Sequence, residues 1–135
     1  MATTAQDRER VAHFLENYYD AMETNDPARY SAYYAEDITL TFGNEAPIHG
    51  RQAVTEAFDG VLSRFRSLQH ELVNVWSEAA GVVIFESIGT WNLHGGESVS
   101  VPACSVFTIR GDRLTDLRIY VDNGPVFAAL EQETR

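Results

Sequence analysis

The spacing of apolar residues changes once along this chain, and that change constrains the fold more than any other feature. Before residue 67, two stretches repeat with the period of a helix. The first carries Val11, Phe14, Leu15, Tyr18 and Met22, and the second carries Val54, Phe58, Val61, Leu62 and Phe65. From there on, residues 67–76, 81–92, 98–109 and 114–122 alternate with the period of a strand. Helices followed by a run of strands predict an α+β domain.

Two shorter signals complete the pattern before residue 50. Asn25-Asp26-Pro27 ends the first helix and starts a short second one, because aspartate caps helices and proline fits the first helical position. Ile38, Leu40 and Phe42 then alternate with threonines, which predicts an early strand. The later strands are separated by turn compositions, so they form an antiparallel meander with the three helices covering one face. We expect residues 1–135 to form a single domain.

Composition excludes several classes of function. The net charge of −10 repels phosphates, which argues against nucleic acid and anionic membranes as partners. No apolar run approaches the ~18 residues of a membrane span, and the first ten residues lack the apolar centre of a signal peptide, so we expect a cytoplasmic protein. All ten basic residues are arginine, so no lysine is present to form a Schiff base.

The sequence predicts neither a metal site nor a cofactor. The single cysteine, Cys104, excludes an internal disulfide and a cysteine-rich metal site. His13, His49 and His94 lack the spacing of metal ligands, and no HExxH motif occurs. Phosphate-loop and dinucleotide fingerprints are absent as well. We therefore expect a small-molecule substrate that is handled without a cofactor.

Three strings resemble the nuclear-transport-factor-2-like superfamily, which includes the SnoaL-like proteins. They are FLENYYDAMETNDPARYSAYYAEDITLTF, HGRQAVTEAF and SVFTIRGDRLTDLRIYVDNGPVF, and the resemblance covers about residues 8 to 127. It implies a cone-shaped α+β barrel in which three N-terminal helices pack on a strongly curved sheet and leave a cavity between the layers. It also implies a homodimer formed through the outer face of the sheet. The superfamily hosts cyclases, isomerases, dehydratases, epoxide hydrolases and non-catalytic binding modules, so the fold alone does not determine the function.

Two subtypes of this superfamily match only in part. Ketosteroid isomerase keeps a tyrosine on its first helix, which Tyr18 matches, but its two essential aspartates fall at Phe42 and near Ser105. We therefore do not expect the mechanism of ketosteroid isomerase in this chain. Limonene-type epoxide hydrolase uses an Asp-Arg-Asp relay. Asp122 matches the last aspartate of that relay, whereas the other two positions hold Ala103 and Ser105.

Two further subtypes supply candidate catalytic residues. Scytalone-type dehydratases place a histidine after the third helix, which His70 in LQHELVNVW resembles. Their carboxylate partner lies on the first helix, where the nearest candidate, Asp20, falls away from the Tyr18 stripe. SnoaL-type cyclases use a last-strand aspartate as the base, and Asp122 in RIYVD is the best match. The resemblance implies Asp122 as the base, His70 as a proton shuttle or orienting group, and Tyr18 as the group that stabilises an enolate oxygen.

This hypothesis depends on which face of the last strand lines the cavity. Asp122 faces inward only if Arg118 and Tyr120 do so as well, because alternate residues of a strand share a face. The other candidates for substrate binding are Tyr33, Phe42, Asn44, Phe58, Glu86 and Trp91. The resemblance to the epoxide hydrolases implies that Asn44 matches their water-holding asparagine. Glu86 is an isolated charge in an apolar strand, so it either faces the pocket or lies on an edge.

Each catalytic candidate also has a purely structural interpretation. Asp122 begins an Asp-Asn-Gly-Pro turn, a composition that favours a solvent-exposed position. His70 and Tyr18 also fit ordinary packing roles. The sequence therefore leaves three functions open. They are an acid–base enzyme for a small apolar or polycyclic substrate, a non-catalytic binding or dimerisation module of the same fold, and an epoxide hydrolase.

Overall fold

The chain folds as helices packed against a curved six-stranded sheet, in a computed structural model that describes residues 4–133. The helices are α1 (Ala5–Glu23), α2 (Pro27–Tyr30), α3 (Arg51–Leu62) and α4 (Gly124–Glu133). The strands are β1 (Tyr34–Phe42), β2 (Ile48–His49), β3 (Ser67–Ser77), β4 (Val82–Asn92), β5 (Ser98–Arg110) and β6 (Arg113–Val121). The predicted α+β class with a curved, mostly antiparallel sheet is confirmed.

The sheet is open at both ends of its strand order, β2-β1-β6-β5-β4-β3. Its neighbouring strands are antiparallel except for β1 and β6, which run parallel. The sheet is therefore a curved platform and not the closed barrel that the name of the fold suggests. On β3 the register shifts between Leu72 and Asn74, so Val73 bulges and is 52% exposed. A bulge of this kind bends and twists its strand.

Helix α1 begins at a capping box and presents one apolar stripe to the sheet. The Thr4 hydroxyl accepts a hydrogen bond from the Asp7 N–H (3.0 Å), and the Asp7 carboxylate accepts one from the Thr4 N–H (3.2 Å). The predicted stripe is confirmed at Leu15, Tyr18 and Met22, which are at most 4% exposed. Burial of each of these side chains stabilises the fold by about 2 kcal/mol.

The predicted boundary between α1 and α2 is confirmed. Asn25 adopts a left-handed backbone (φ +61°) just beyond the end of α1. The Asp26 carboxylate accepts the N–H of Ala28 (3.0 Å), and Pro27 occupies the first turn of α2. This short helix leads through one 3₁₀ turn into β1, which begins at the buried Tyr34.

A fourth helix follows the last strand, where the sequence indicated only a turn. The Asp122 carboxylate accepts the Gly124 N–H (2.9 Å), and this Asx turn starts α4. One face of α4 packs into a small hydrophobic cluster made of Phe65, Leu93, Val101, Val126, Ala129 and Leu130. The helix is held by this packing, because an isolated helix of such length is unstable in water. No helix within residues 4–133 is long and apolar enough to cross a membrane.

Candidate functional site

A cavity of about 440 Å³ lies between the helices and the concave face of the sheet. Its helical wall consists of Tyr18, Tyr19 and Met22 of α1 and Ala57, Phe58, Val61 and Leu62 of α3. Its sheet wall consists of Leu68, His70, Ser87, Gly89, Trp91, Val101, Ala103, Ser105, Phe107, Ile119 and Val121. The ends of β1 and β6 and the segments after them add Phe42, Gly43, Asn44, Glu45, Asn123 and Phe127. A mainly apolar and aromatic lining with a few polar groups suits a small organic molecule.

The cavity exists because the concave face carries small side chains at its centre. The cavity-facing positions of β4 and β5 include Ser87, Gly89, Ala103 and Ser105. Large aromatic side chains surround this patch, and one of them, Phe107, is only 1% exposed. The helices rest on the large side chains and cannot collapse onto the small ones, which leaves a hollow in an otherwise close-packed interior.

His70 is the titratable side chain most deeply set in the sheet wall. Its imidazole stacks on the Tyr19 ring with 4.0 Å between centroids and 26° between planes, and its side chain is 14% exposed. Among residues 4–133, its Nδ1 has no hydrogen-bond partner. Burial lowers the pKa of His70 from 6.5 to about 4, so the imidazole is neutral at neutral pH. A neutral imidazole can accept a proton from a ligand in the cavity.

Glu23, the last residue of α1, lies behind His70. Its Oε1 accepts the His70 backbone N–H (2.5 Å) and lies 4.0 Å from His70 Nδ1. Burial raises the pKa of this carboxyl group, and the His70 N–H partly offsets that rise. The sequence pointed to Asp20 as the nearest carboxylate candidate on α1 and not to Glu23. In the structure Asp20 is exposed, and Glu23 takes the position beside His70. The available signal was spacing, since Glu23 lies four residues after Tyr19 and therefore on the same helical face.

Two buried tyrosines form a polar pair at the α1 wall. The hydroxyl oxygens of Tyr18 and Tyr34 lie 2.7 Å apart, and either group can donate. Burial raises the pKa of both hydroxyls, so each stays protonated at neutral pH. When Tyr34 donates to Tyr18, the Tyr18 proton is free for an oxygen in the cavity. The sequence alone does not reveal this pair, because the two tyrosines lie 16 residues apart on separate elements.

The structure brings six of the predicted site residues to the cavity. They are Tyr18, Phe42, Asn44, Phe58, His70 and Trp91. Phe42, Phe58 and Trp91 contribute aromatic wall, and Asn44 contributes an amide from the exposed segment after β1. Their place at the cavity is as expected, while their roles toward a ligand stay predictions.

The predicted orientation of β6 is wrong. Arg118, Tyr120 and Asp122 are exposed on the outer side of the sheet, while the alternate residues Ile119 and Val121 line the cavity. The helices cover the concave face, so apolar side chains gain more free energy there than polar ones. The strand thus follows its own amphipathic pattern, and the aspartate at its end points away from the cavity.

The three residues on the outer side have other contacts. The Asp122 carboxylate starts α4 as described above. Arg118 Nε lies 3.3 Å from Asp116 Oδ2 on the same face of β6. Tyr120 is 48% exposed. None of the three lines the cavity formed by the described residues.

Two other predicted binding residues also lie elsewhere. Glu86 is exposed on the convex face of β4, where it accepts a hydrogen bond from the Asn74 side-chain amide (2.9 Å). Solvent and the Asn74 amide on the neighbouring strand therefore provide the polar partners that a charged side chain in an apolar strand needs. Tyr33 packs edge-on against Phe14 and Tyr18, with 5.6 and 5.7 Å between ring centroids, and lies outside the cavity lining.

The charge inventory of the cavity is sparse. Its lining within residues 4–133 contains no arginine, and its single carboxylate is that of the exposed Glu45. In the same part of the chain, no three His, Cys, Asp or Glu side chains are grouped so as to hold a metal ion. The polar groups that remain are the imidazole of His70, the indole N–H of Trp91, hydroxyls and side-chain amides. Such a set favours hydrogen bonding and proton transfer to an uncharged molecule.

Comparisons with known proteins agree on the fold. A protein named as an isomerase from Bacillus subtilis superposes with a TM-score of 0.78 at 19% identity, covering 91% of this chain and 94% of its own. A protein named as a SnoaL-like polyketide cyclase from Jannaschia sp. CCS1 gives 0.74 at 18% identity, with 96% and 97% covered. A protein named as an LEH-like epoxide hydrolase from M. tuberculosis gives 0.72 at 18% identity, with 89% and 88% covered. At these identities the likeness shows the fold alone.

The family assignment comes from the sequence model of the family. No curated protein matches the chain. The model of the SnoaL-like domain, however, matches residues 15–117, which is well over half of the 135 residues. The matched range runs from α1 into β6 and includes the helical wall of the cavity and most of its sheet wall. This chain therefore belongs to the SnoaL-like domain family.

Proposed function

We propose that the chain is an enzyme that moves a proton on a small organic substrate held in the cavity, with His70 as the base. The observation that carries the proposal is a neutral, buried imidazole at the cavity wall with a carboxylate behind it. Asp122 has no part in this proposal, because it lies outside the cavity. The reaction class is proton abstraction next to a carbonyl group, followed by isomerisation, cyclisation or loss of water.

The proposed step begins when His70 takes a proton from the carbon next to the carbonyl group. The imidazolium that forms lies near Glu23 Oε1, which is 4.0 Å from Nδ1, and an ionised carboxylate there stabilises the new positive charge. The electrons of the broken C–H bond move toward the carbonyl oxygen, which becomes an enolate. Tyr18 donates a hydrogen bond to that oxygen while its own hydroxyl oxygen accepts a hydrogen bond from Tyr34.

A direct test uses 1-tetralone, a two-ring ketone with exchangeable protons next to its carbonyl group. In heavy water, proton NMR measures the loss of those protons with and without protein. We expect His70→Gln to lower the exchange rate at least ~100-fold, the usual contribution of a general base. Glu23→Gln is expected to lower it less, because Glu23 acts through His70. His94→Gln, a change at an exposed histidine, is the matched control.

The outcome separates the two leading functions. If wild type catalyses the exchange and His70→Gln catalyses it equally well, His70 is not the base.

A non-catalytic binding module is the second candidate, and it is favoured by the outward orientation of Asp122 and Glu86. That candidate predicts that 1-tetralone binds while exchange stays at the rate in buffer. Epoxide hydrolysis has less support, because the relay positions that resemble Asp-Arg-Asp hold Ser105, Ala103 and an outward Asp122.

We also propose a homodimer that forms through the convex face of the sheet. That face exposes Trp76 (44%) and Tyr120 (48%), and half-buried Ile84 and Val106 lie opposite one another in the register between β4 and β5. Exposed aromatic side chains beside aliphatic ones are typical of surfaces that bind another protein.

A further inference from the structure

Two buried serines on the cavity floor have no role in the proton transfer described so far. Ser87 on β4 is 3% exposed and Ser105 on β5 is 2% exposed, and both line the cavity. Within residues 4–133, no hydrogen bond involves either hydroxyl, and neither oxygen is among the fully enclosed polar atoms without a partner. Both hydroxyls are therefore open to the cavity, where an oxygen atom of a ligand can form hydrogen bonds with them.

We infer that Ser87 and Ser105 bind an oxygen atom of an uncharged ligand and thereby fix the ligand's orientation toward His70. This inference rests on the cavity being the ligand site of the proposed function, but it does not require that His70 be a base. A serine hydroxyl both donates and accepts, so it recognises a carbonyl or hydroxyl oxygen.

The strand register places the three polar groups on one diagonal of the concave face. His70 pairs with Gly89, and Ser87 lies two residues from Gly89 on the same side of β4. Ser87 pairs with Ala103, and Ser105 lies two residues from Ala103 on the same side of β5. Diagonal neighbours of this kind are about 7 Å apart. The row His70–Ser87–Ser105 is therefore long enough to contact a ligand of two or more fused rings along its edge.

The charges around this diagonal determine which ligands are accepted. The lining formed by residues 4–133 supplies no cation to an anionic ligand, and the carboxylate of the exposed Glu45 repels one. A carboxylate or phosphate would thus lose its hydration without a countercharge. A ligand with a planar, uncharged ring system and a ketone or hydroxyl oxygen meets both the aromatic walls and the serine hydroxyls. The inferred ligand class is a neutral, oxygenated ring compound.

A set of three matched probes tests this inference by binding alone. The probes are 1-tetralone, tetralin, which lacks the oxygen, and 1,2,3,4-tetrahydro-1-naphthoate, which is an anion. A Trp76→Phe background leaves Trp91, in the cavity wall, as the only tryptophan of the chain. Its indole N–H signal in a ¹H–¹⁵N spectrum then reports occupancy of the cavity.

We expect 1-tetralone to bind at least ~10-fold more tightly than the anion, and about three- to tenfold more tightly than tetralin, the range of one hydrogen bond. Ser87→Ala with Ser105→Ala is expected to bring 1-tetralone down to the affinity of tetralin and to leave tetralin unchanged. Ser100→Ala removes a serine hydroxyl from the convex face, where it bonds Thr90, and is the matched control. Circular dichroism of each variant checks that the fold is intact.

An unchanged preference for 1-tetralone in the double variant would overturn the role of the serines. Preferred binding of the anion would overturn the inferred ligand class, and so would failure of all three probes to shift the Trp91 signal. These results are distinct from failure of the proposed function. If 1-tetralone binds through the serines but its protons do not exchange, the inference stands and the catalytic role of His70 falls.

Discussion

At His70, burial and a neighbouring carboxylate act in opposite directions on one imidazole. Burial lowers the pKa to about 4, which keeps the side chain neutral, whereas a charged Glu23 4.0 Å away favours the protonated form. The arrangement resembles a base with a stabilising partner more than a buried packing histidine. The lowered pKa of His70 also makes the stability of the protein depend on pH, which can be measured without a substrate.

The stability of the protein is expected to fall as the pH decreases from 6.5 to 4. Over that interval the unfolded chain holds the His70 proton and the folded chain does not, so stability rises with pH. The free energy of unfolding should lose about 3 kcal/mol through His70 by pH 4. Glu23 acts in the reverse sense, because its raised pKa stabilises the fold at low pH and that contribution is lost as the pH rises through the raised value.

Urea unfolding of wild type and His70→Asn at several pH values measures this effect. The difference in unfolding free energy between the two proteins should change by about 3 kcal/mol between pH 7 and pH 4, in favour of the variant at low pH. His94→Asn corrects for the loss of a surface histidine. A constant difference between wild type and His70→Asn would show that the imidazole is not desolvated in the folded state.

At the scale of elements, α4 depends on a short turn and a small apolar cluster. The Asp122 carboxylate accepts the Gly124 N–H at the start of the helix. We expect Asp122→Ala to destabilise the protein by about 1 kcal/mol, the usual effect of one lost hydrogen bond, here that of the Asx turn. Asp122→Ser keeps an acceptor and should recover most of that loss, and both variants should exchange 1-tetralone protons at the wild-type rate. A large loss of proton exchange in Asp122→Ser would show that the Asp122 carboxylate takes part in catalysis.

The sheet provides a second prediction, because the cavity depends on small side chains of β4 and β5. Ala103→Leu is expected to weaken the binding of 1-tetralone at least ~10-fold and to leave the melting temperature equal or higher, since added apolar atoms fill a void. Ala128→Leu, at an exposed position of α4, is the control. Unimpaired binding in Ala103→Leu would place the ligand outside this cavity.

The elements themselves were predictable from local pattern, whereas the site was only partly so. Strand β4 was predicted at 81–92 and is found at Val82–Asn92, because alternation is a local property. Whether Glu23 or Asp20 lies beside His70 depends on where β3 lies relative to α1. A local sequence pattern does not contain that information. At Asp122, the family resemblance outweighed an amphipathic pattern that pointed correctly to the outer face. Helix α4 was missed because its short apolar segment, which includes Val126, Ala129 and Leu130, acquires a partner only in the folded chain.

At the scale of the whole molecule, the concave face is covered by helices while the convex face is open. The proposed homodimer would cover Trp76 and Tyr120, which are 44% and 48% exposed in the single chain. We expect Trp76→Glu with Tyr120→Glu to convert a dimer to a monomer in sedimentation velocity at micromolar concentration, because each new charge would have to be desolvated in the interface. Ala53→Glu, an exposed position on α3, is the control. Wild type that sediments as a monomer would rule out this interface.

The break in register at Val73 also bears on how the protein behaves when it is concentrated. An eleven-residue outermost strand such as β3 offers a template for fibril growth through backbone pairing. The bulge interrupts that template in its middle, and the opposite margin of the sheet, β2, has only two residues. Both margins are therefore poor acceptors for a further strand, so any self-association should stop at small, closed assemblies instead of continuing into filaments.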